Sequence, residues 1–432
     1  MNLIVILFIS FFGMCLIGVP IAFSLVLAAF FTAIMIGLDP VVMIQQMYIM
    51  LDSYTLLAVP LFLMVGYVME TGEITQRLVD FAKSLVGHIR GGFGHVNIVA
   101  EMVLSGISGS ATADAAALGG IMIPAMVKEG YPPAVAASIN AAAATNGPII
   151  PPSIMMIVYG AYANLSIAVL FIGGAVPGVI LGVALMVYVY IYAKRHNLPK
   201  AERMCTLKEF WHSFKKAFLA LMATVIIFAG IIGGFFTATE AGMVATLYCL
   251  FISAFVYKMV NVKRLIYILE GTLESMAAPL MCVAAAGAFG YVMAYLKVPS
   301  YVLKLAGPIA GSHFGVLFFI TVLYLILGTF MDATPAIIIF MSVVQSLANS
   351  AGLNPYHVGV LICCVLCFGF ITPPYGLTLL LSSGIAKVST SEVIYHSRWI
   401  FFVMLLVTLV LIFFPEVILF LPRLLVPGAM GV

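Results

Sequence analysis

Charge is what this sequence has least of. Of its 432 residues 8% are Asp, Glu, Lys or Arg, against 64% that are hydrophobic, and the mean hydropathy is +1.21. A water-soluble domain cannot cover itself with so few charges, so the composition leaves a polytopic membrane protein. The net charge is +3, with no basic run interleaved with aromatics, which excludes a nucleic-acid partner. No GxxxxGK(S/T) loop occurs and no soluble domain is there to hold a nucleotide, which argues against an ATP-driven pump. The first residues, MNLIVILFIS, lack a basic n-region and a cleavage site, so the first helix is expected to be retained. Cysteines number seven. Cys363, Cys364 and Cys367 cluster in an apolar segment with only His357 near, and read as buried thiols rather than metal ligands.

What is present is a repeat. Residues 147–152 read GPIIPP, and 222 positions later residues 369–374 read GFITPP. Gly106, Ala111, Thr112, Gly130, Pro133, Gly147, Ile149, Pro151 and Pro152 recur without a gap as Gly328, Ala333, Thr334, Gly352, Pro355, Gly369, Ile371, Pro373 and Pro374. Most of these identities fall on Gly and Pro, the residues that break helices. A duplicated pair of broken membrane helices points to a secondary transporter whose ligand site lies near the bilayer midplane.

Apolar spans are expected near 2–18, 20–37, 54–70, 94–127, 133–163 and 166–193. A second set lies near 218–233, 237–257, 277–295, 313–350, 355–386 and 398–421. Residues 41–52 and 261–275 mix apolar with polar residues and read as arms at the membrane surface. The basic stretch 194–216 is cytoplasmic by its Lys and Arg excess. Orientation then propagates. The segment 94–127, flanked by Arg90 and Lys128, enters and leaves from the cytoplasm as a re-entrant hairpin interrupted at GISGSATAD. The segment 313–350, with its tip at LGTFMDATP, does the same from the outside. The expected fold is therefore an all-α polytopic membrane protein with an inverted-topology repeat. The first repeat covers 1–193, the cytoplasmic connection 194–216, and the second repeat 217–432. Each holds one hairpin and one broken helix (133–163 and 355–386), and residues 94–164 and 313–387 form the main transport unit.

Backbone groups freed at a break must find partners, since hydrocarbon supplies none. A helix ending at Gly147 or Gly369 points its last carbonyls at the gap, and hard monovalent cations suit such oxygen cages. Nearby hydroxyls complete them: Ser108, Ser110 and Thr112 at the first tip, Thr329 and Thr334 at the second, and Asn146 and Thr372 beside the breaks. Each half offers enough for one Na+ site. Na+ is favoured over H+ because proton relays need chains of Asp, Glu or His. Packing of helices through small residues is the alternative role for any single one of these side chains. Asp332 in the second tip is a functional candidate, and Asp114 is either that or a helix cap. Lys297 either snorkels to the external interface or pairs with a substrate carboxylate. Ser110, Asp332, Pro152 and Pro374 are the other candidates to face a substrate.

The stretch 105–153, SGISGSATADAAALGGIMIPAMVKEGYPPAVAASINAAAATNGPIIPPS, with GFITPPYG at 369–376, resembles the large membrane subunit (M, DctM-like) of the tripartite ATP-independent periplasmic (TRAP) transporters, its sialic acid members included. The resemblance covers essentially the whole chain. It implies an elevator mechanism in the bacterial inner membrane, Na+ coupling, and two partners. These are a small four-helix membrane subunit (Q type), separate here, and a periplasmic substrate-binding protein (P type). Cation sites carried over by motif fall on Ser108, Gly147 and Ile150, and on Gly328, Thr329, Asp332, Gly369 and Thr372. The implied substrates are carboxylates: dicarboxylates, sialic acids or sugar acids. Two other readings compete. A related elevator carrier would be a Na+/dicarboxylate symporter that needs no binding protein. An intramembrane serine protease would use Ser108 within GISG, activated by His313 or His357, but gives no reason for the second copy.

Overall fold

The computed structural model describes residues 3–70, 72–200 and 203–430, and is helical throughout with no strand among them. The first half runs α1 (Leu3–Leu16), α2 (Ile21–Met35), α3 (Pro40–Leu51), α4 (Ala58–Met69), α5 (Gly72–Val86), α6 (Gly92–Ser108), α7 (Ala111–Glu129), α8 (Pro133–Ala143), α9 (Ile154–Ala163) and α10 (Ile167–Arg195). The second runs α11 (Leu207–Ile232), α12 (Ala238–Phe251), α13 (Val262–Tyr295), α14 (Val298–Ala306), α15 (His313–Phe330), α16 (Ala333–Ser350), α17 (Pro355–Leu366), α18 (Leu377–Ala386), α19 (Thr390–Phe413) and α20 (Glu416–Leu425). Among the described residues seven helices are long and apolar enough to cross a membrane, and eight if the pair α3 and α4, bent by 56°, counts as one span.

The repeat governs where helices start and stop. The ends of α6 and α15, Ser108 and Phe330, are 222 positions apart, as are the starts of α7 and α16 and of α8 and α17. The cis bonds Pro151–Pro152 and Pro373–Pro374 match at the same offset. Proline explains the starts of α8 and α17: Pro133 and Pro355 stand at the first helical position, where a missing N–H costs nothing. Gly147 and the double proline then prevent α8 from continuing into α9, as Gly369 and its prolines stop α17 short of α18.

Cross-packing shows how the halves are related. Helix α18 lies against α7 and α8, while α9 lies against α16 and α17, and the two breaks touch. A helix approaching the break and one leaving it thus lie side by side in each pairing. The broken helices therefore run in opposite directions, as an inverted repeat requires. Helices α4 and α13 flank this centre, α4 packing on α6, α9 and α13, and α13 on α16.

Several expected boundaries differ. Residues 261–275 are not a separate arm but the first turns of the 34-residue α13, which continues through Pro279. The last span, expected at 398–421, begins earlier at Thr390 and divides before Pro415 into α19 and α20. Helices α5 and α14 were not expected at all. Both are amphipathic, so neither gives an apolar run. The connection 194–216 is partly helical because α11 starts at Leu207. Thr206 Oγ1 accepts from the Glu209 backbone N–H at 3.3 Å, and the Glu209 carboxylate accepts from the Thr206 N–H at 2.8 Å, a reciprocal cap. Replacing Thr206 by Ala costs this terminus about 1 kcal/mol. Amide exchange at 207–210 is expected to quicken, with uptake unchanged. Unaltered exchange there would show that the cap contributes nothing.

Candidate functional site

The hairpin tips lie where the backbone must leave a helix. Gly109, between α6 and α7, has φ +66°, a left-handed conformation that a side chain resists. Ser110 follows as the N-cap of α7, its Oγ accepting from the Ala113 N–H at 3.4 Å. With that position taken, Asp114 does not cap. It sits one turn into α7 and accepts from the hydroxyls of Ser108 and, at 3.4 Å, Ser105. In the second half Asp332 is the residue before α16, and its side chain makes no capping bond. Its carboxylate lies against the Ala333 N–H and the Tyr375 hydroxyl, the latter just past the second break.

Each break is pressed against the hairpin tip of its own half. A Cβ on Gly147 would lie 2.9 Å from Asp114 Oδ2 and 3.0 Å from the Ala111 nitrogen. A Cβ on Gly369 would run into the carbonyl oxygen of Gly328. Only glycine permits these approaches. The second junction is closed further by the Tyr375 N–H donating to Thr329 O at 3.1 Å. The Gly376 N–H donates to the carbonyls of Gly369 and Thr372 at 3.1 and 3.0 Å.

A cavity of about 460 Å³ opens where the tips meet. Ser108, Ser110 and Thr112 line it from the first hairpin, Asp332 and Thr334 from the second. Pro148 and Phe370 reach it from the two breaks, with Tyr375 beside them. Tyr67 and Glu70 at the end of α4, with Tyr267, Ser275 and Pro279 of α13, close the opposite wall. The hydroxyls of Tyr67 and Ser275 are 2.6 Å apart and bind those helices together.

The remaining candidates lie around this centre. Asn146 is buried, its Nδ2 donating to Ala143 O at 3.2 Å while its Oδ1 has no partner among the described residues. Thr329 and Thr372 donate to Ile326 O and Phe368 O at 2.7 and 2.6 Å. With their protons so committed, both hydroxyls present lone pairs outward. Gly328 faces Gly369, and the Ile150 side chain fills the space beside Gly178 of α10, leaving only its backbone to face a ligand. Pro152 is buried behind Gly109, Pro374 is exposed, and neither lines the cavity. Lys297 is not brought there either. It is exposed at the junction of α13 and α14, where its ammonium group stays solvated.

Sequence reasoning missed the wall opposite the tips. Glu70 ends an apolar run, a signal available in principle. Tyr67, Tyr267 and Ser275 carried none, because only packing brings them together. The protease reading fails at its nucleophile: Ser108 is bonded to Asp114, and His357 Nε2 pairs with Leu411 O at 2.8 Å. Neither His313 nor His357 reaches the cavity. Among the described residues no three His, Cys, Asp or Glu side chains converge as a metal site would require.

Similarity to known proteins gives this geometry a family. Residues 8–417 match the family described as "Tripartite ATP-independent periplasmic transporter, DctM component". The chain is 37% identical to the sialic acid TRAP transporter large permease protein SiaM of Vibrio cholerae, over 87% of this chain and 88% of that one. It is 36% identical to the 2,3-diketo-L-gulonate TRAP transporter large permease protein YiaN of Escherichia coli, over 93% and 95%. In fold it is similar to the YdaH transporter of Alcanivorax borkumensis, with a TM-score of 0.57 at 13% identity, covering 83% of this chain and 85% of that one. The two permease relatives are transport proteins rather than enzymes. Helix breaks in duplicate, a cavity between them and this similarity along nearly the whole chain agree: the protein belongs to the DctM family, the large permease component of tripartite ATP-independent periplasmic transporters.

Proposed function

We propose that the chain is the membrane-crossing subunit of a Na+-coupled importer of an organic acid, working in the bacterial inner membrane. A periplasmic binding protein delivers the acid, and a small four-helix membrane subunit accompanies the permease. The observation that carries this reading is the convergence of both tips and both breaks on one cavity. Hydroxyl oxygens from Ser108, Ser110, Thr112 and Thr334, with the Asp332 carboxylate, face it. Oxygen-only donors of this kind suit a hard monovalent cation. The starts of α7 and α16 direct free N–H groups to the same place, which favours a carboxylate. One Na+ would be held by Ser108, Ser110, Thr112, Asn146, Gly147 and Ile150. The other would be held by Gly328, Thr329, Asp332, Thr334, Gly369 and Thr372. Hairpins and broken helices move as one unit against α4 and α13, carrying the cavity from one face to the other.

The driving force is sufficient. A tenfold gradient supplies about 1.4 kcal/mol per ion, and 100 mV adds about 2.3 kcal/mol per charge. Two ions give roughly 7 kcal/mol, less what an anionic substrate loses against the potential.

The test is uptake in vesicles holding the chain with its small subunit and candidate binding proteins, under imposed Na+ gradients. Saturable uptake that needs both Na+ and a binding protein is expected. Uptake without the soluble protein would favour the Na+/dicarboxylate symporter that needs no binding protein, and uptake indifferent to Na+ would remove the coupling ion. Ser108→Ala removes one donor of the first site and should raise the Na+ concentration for half-maximal uptake several-fold. An unchanged value would take Ser108 out of the cation shell.

A further inference from the structure

A second cavity, of about 370 Å³, lies between the end of α5 and the start of α11, far along the chain from either break. Lys83, His88, Arg203, His212, Ser213 and Lys216 line it, with the carboxylates of Asp80 and Glu209. Both acids are already engaged. Asp80 accepts from Gln76 Nε2 at 3.0 Å. Glu209 accepts from Arg203 at 2.7 Å and from the Thr206 N–H. Lys83 and Lys216 form no ion pair among the described residues. A neighbouring cavity of about 240 Å³ shares Lys83 and Gly87 and adds Lys200. Its one carboxylate, Glu129, accepts from the Phe93 N–H at 2.9 Å. The two cavities thus bring Lys83, Lys200, Arg203 and Lys216 together against the carboxylates of Asp80, Glu129 and Glu209, an excess of one positive charge, with Lys83 near enough to Glu129 to act on its carboxyl.

Its depth is set by α11. The helix turns apolar at Ala217, immediately after Lys215 and Lys216, while Leu207, Trp211 and Phe218 are large apolar side chains left exposed. Phe81 of α5 packs on Phe210 and Phe214, with ring centroids 6.0 and 5.9 Å away, joining the two helices beside the cavity. Cationic groups at the level where a helix enters hydrocarbon, beside exposed Trp and Phe, match a ligand with an anionic head and an apolar tail. The basic excess of 194–216 assigns this end to the cytoplasm, where anionic lipids attract such clusters.

We propose that the groove between α5 and α11 binds the phosphate group of an anionic phospholipid of the cytoplasmic leaflet, with Lys83 and Lys216 on the phosphate. A soluble phosphate ester presents the same group, but the exposed Trp211 and Phe218 favour the lipid. Gly92 and Phe93, at the base of the first hairpin, line the neighbouring cavity that shares Lys83.

Thermal unfolding of the full chain in detergent tests this, with dihexanoyl phosphatidylglycerol, dihexanoyl phosphatidylcholine and inorganic phosphate titrated separately. Phosphatidylglycerol should raise Tm saturably, at a concentration about tenfold below that of either control. The variant Lys83→Gln with Lys216→Gln should need about tenfold more of it. Lys216→Gln alone, at an exposed position, should show part of the loss if the double variant does not fold. Equal potency of inorganic phosphate would overturn the lipid assignment. A wild-type titration in the variants would overturn the site.

Discussion

Gly369→Ala should reduce uptake to background while leaving the protein inserted and folded in its outer regions. The single added carbon meets the carbonyl oxygen of Gly328, which is backbone and cannot swing aside. Relief requires the second break to separate from the second hairpin tip. That would pull Thr329 O from the Tyr375 N–H, the backbone bond that joins tip and break. Overpacking of this sort costs about 1–3 kcal/mol, and about 1.4 kcal/mol is a factor of ten. The cost falls on the geometry of the cavity rather than on the scaffold helices, so transport suffers more than stability. Gly120→Ala and Gly384→Ala are the controls, since a Cβ at either meets nothing within 4 Å. Both should transport as the parent does. Full uptake by Gly369→Ala would mean that the contact between tip and break is dispensable, and with it the proposed second cation cage.

That glycine was legible in the sequence because the demand on it is a backbone demand. Breaks, tips and repeat register all announce themselves through Gly and Pro, whose effect on the chain is local. The starts of α8 and α17 were therefore readable to the residue, and those of α7 and α16 to within the tips GISGSATAD and LGTFMDATP. Helix α5 was hidden for the opposite reason: its Gln76, Asp80 and Lys83 face outward, so it offers no apolar run, only a period. Helix α13 was divided after residue 275 because its first turns mix polar with apolar residues, Glu270 and Glu274 among them, and so read as a surface arm. The beginning of α11 was readable and was missed, since Thr206 and Glu209 stand at capping-box spacing. In the cavity, the tip hydroxyls followed from their place beside glycines. Tyr67 and Ser275 did not, being separated by 208 positions and joined only by tertiary packing. Lys297 shows the limit of charge as a signal. An unpaired lysine at the end of an apolar helix attracts a functional reading, yet an exposed turn satisfies it.

Asp332→Asn should raise the Na+ concentration for half-maximal uptake by about ten- to a hundredfold, with little loss of folded protein. The substitution keeps shape and one acceptor oxygen, so the Tyr375 hydroxyl retains its partner and what is removed is charge. A monovalent cation about 4 Å from a carboxylate gains roughly 4 kcal/mol at an effective dielectric constant near 20. Desolvation returns part of that, leaving about 1.4–2.8 kcal/mol to be read as affinity. Tyr375→Phe separates the two roles of the carboxylate. It deletes the hydrogen bond and keeps the charge, so its Na+ activation should stay within a few-fold of the parent. If Tyr375→Phe is as damaging as Asp332→Asn, the aspartate acts by holding the second break in place. If Asp332→Asn keeps parental Na+ activation, the charge is not in the cation's field and the second site must be built from hydroxyl and carbonyl oxygens alone. Only the pairing of a charge-sensitive aspartate with a tolerant tyrosine places the coupling ion at the tip of the second hairpin, where α16 begins.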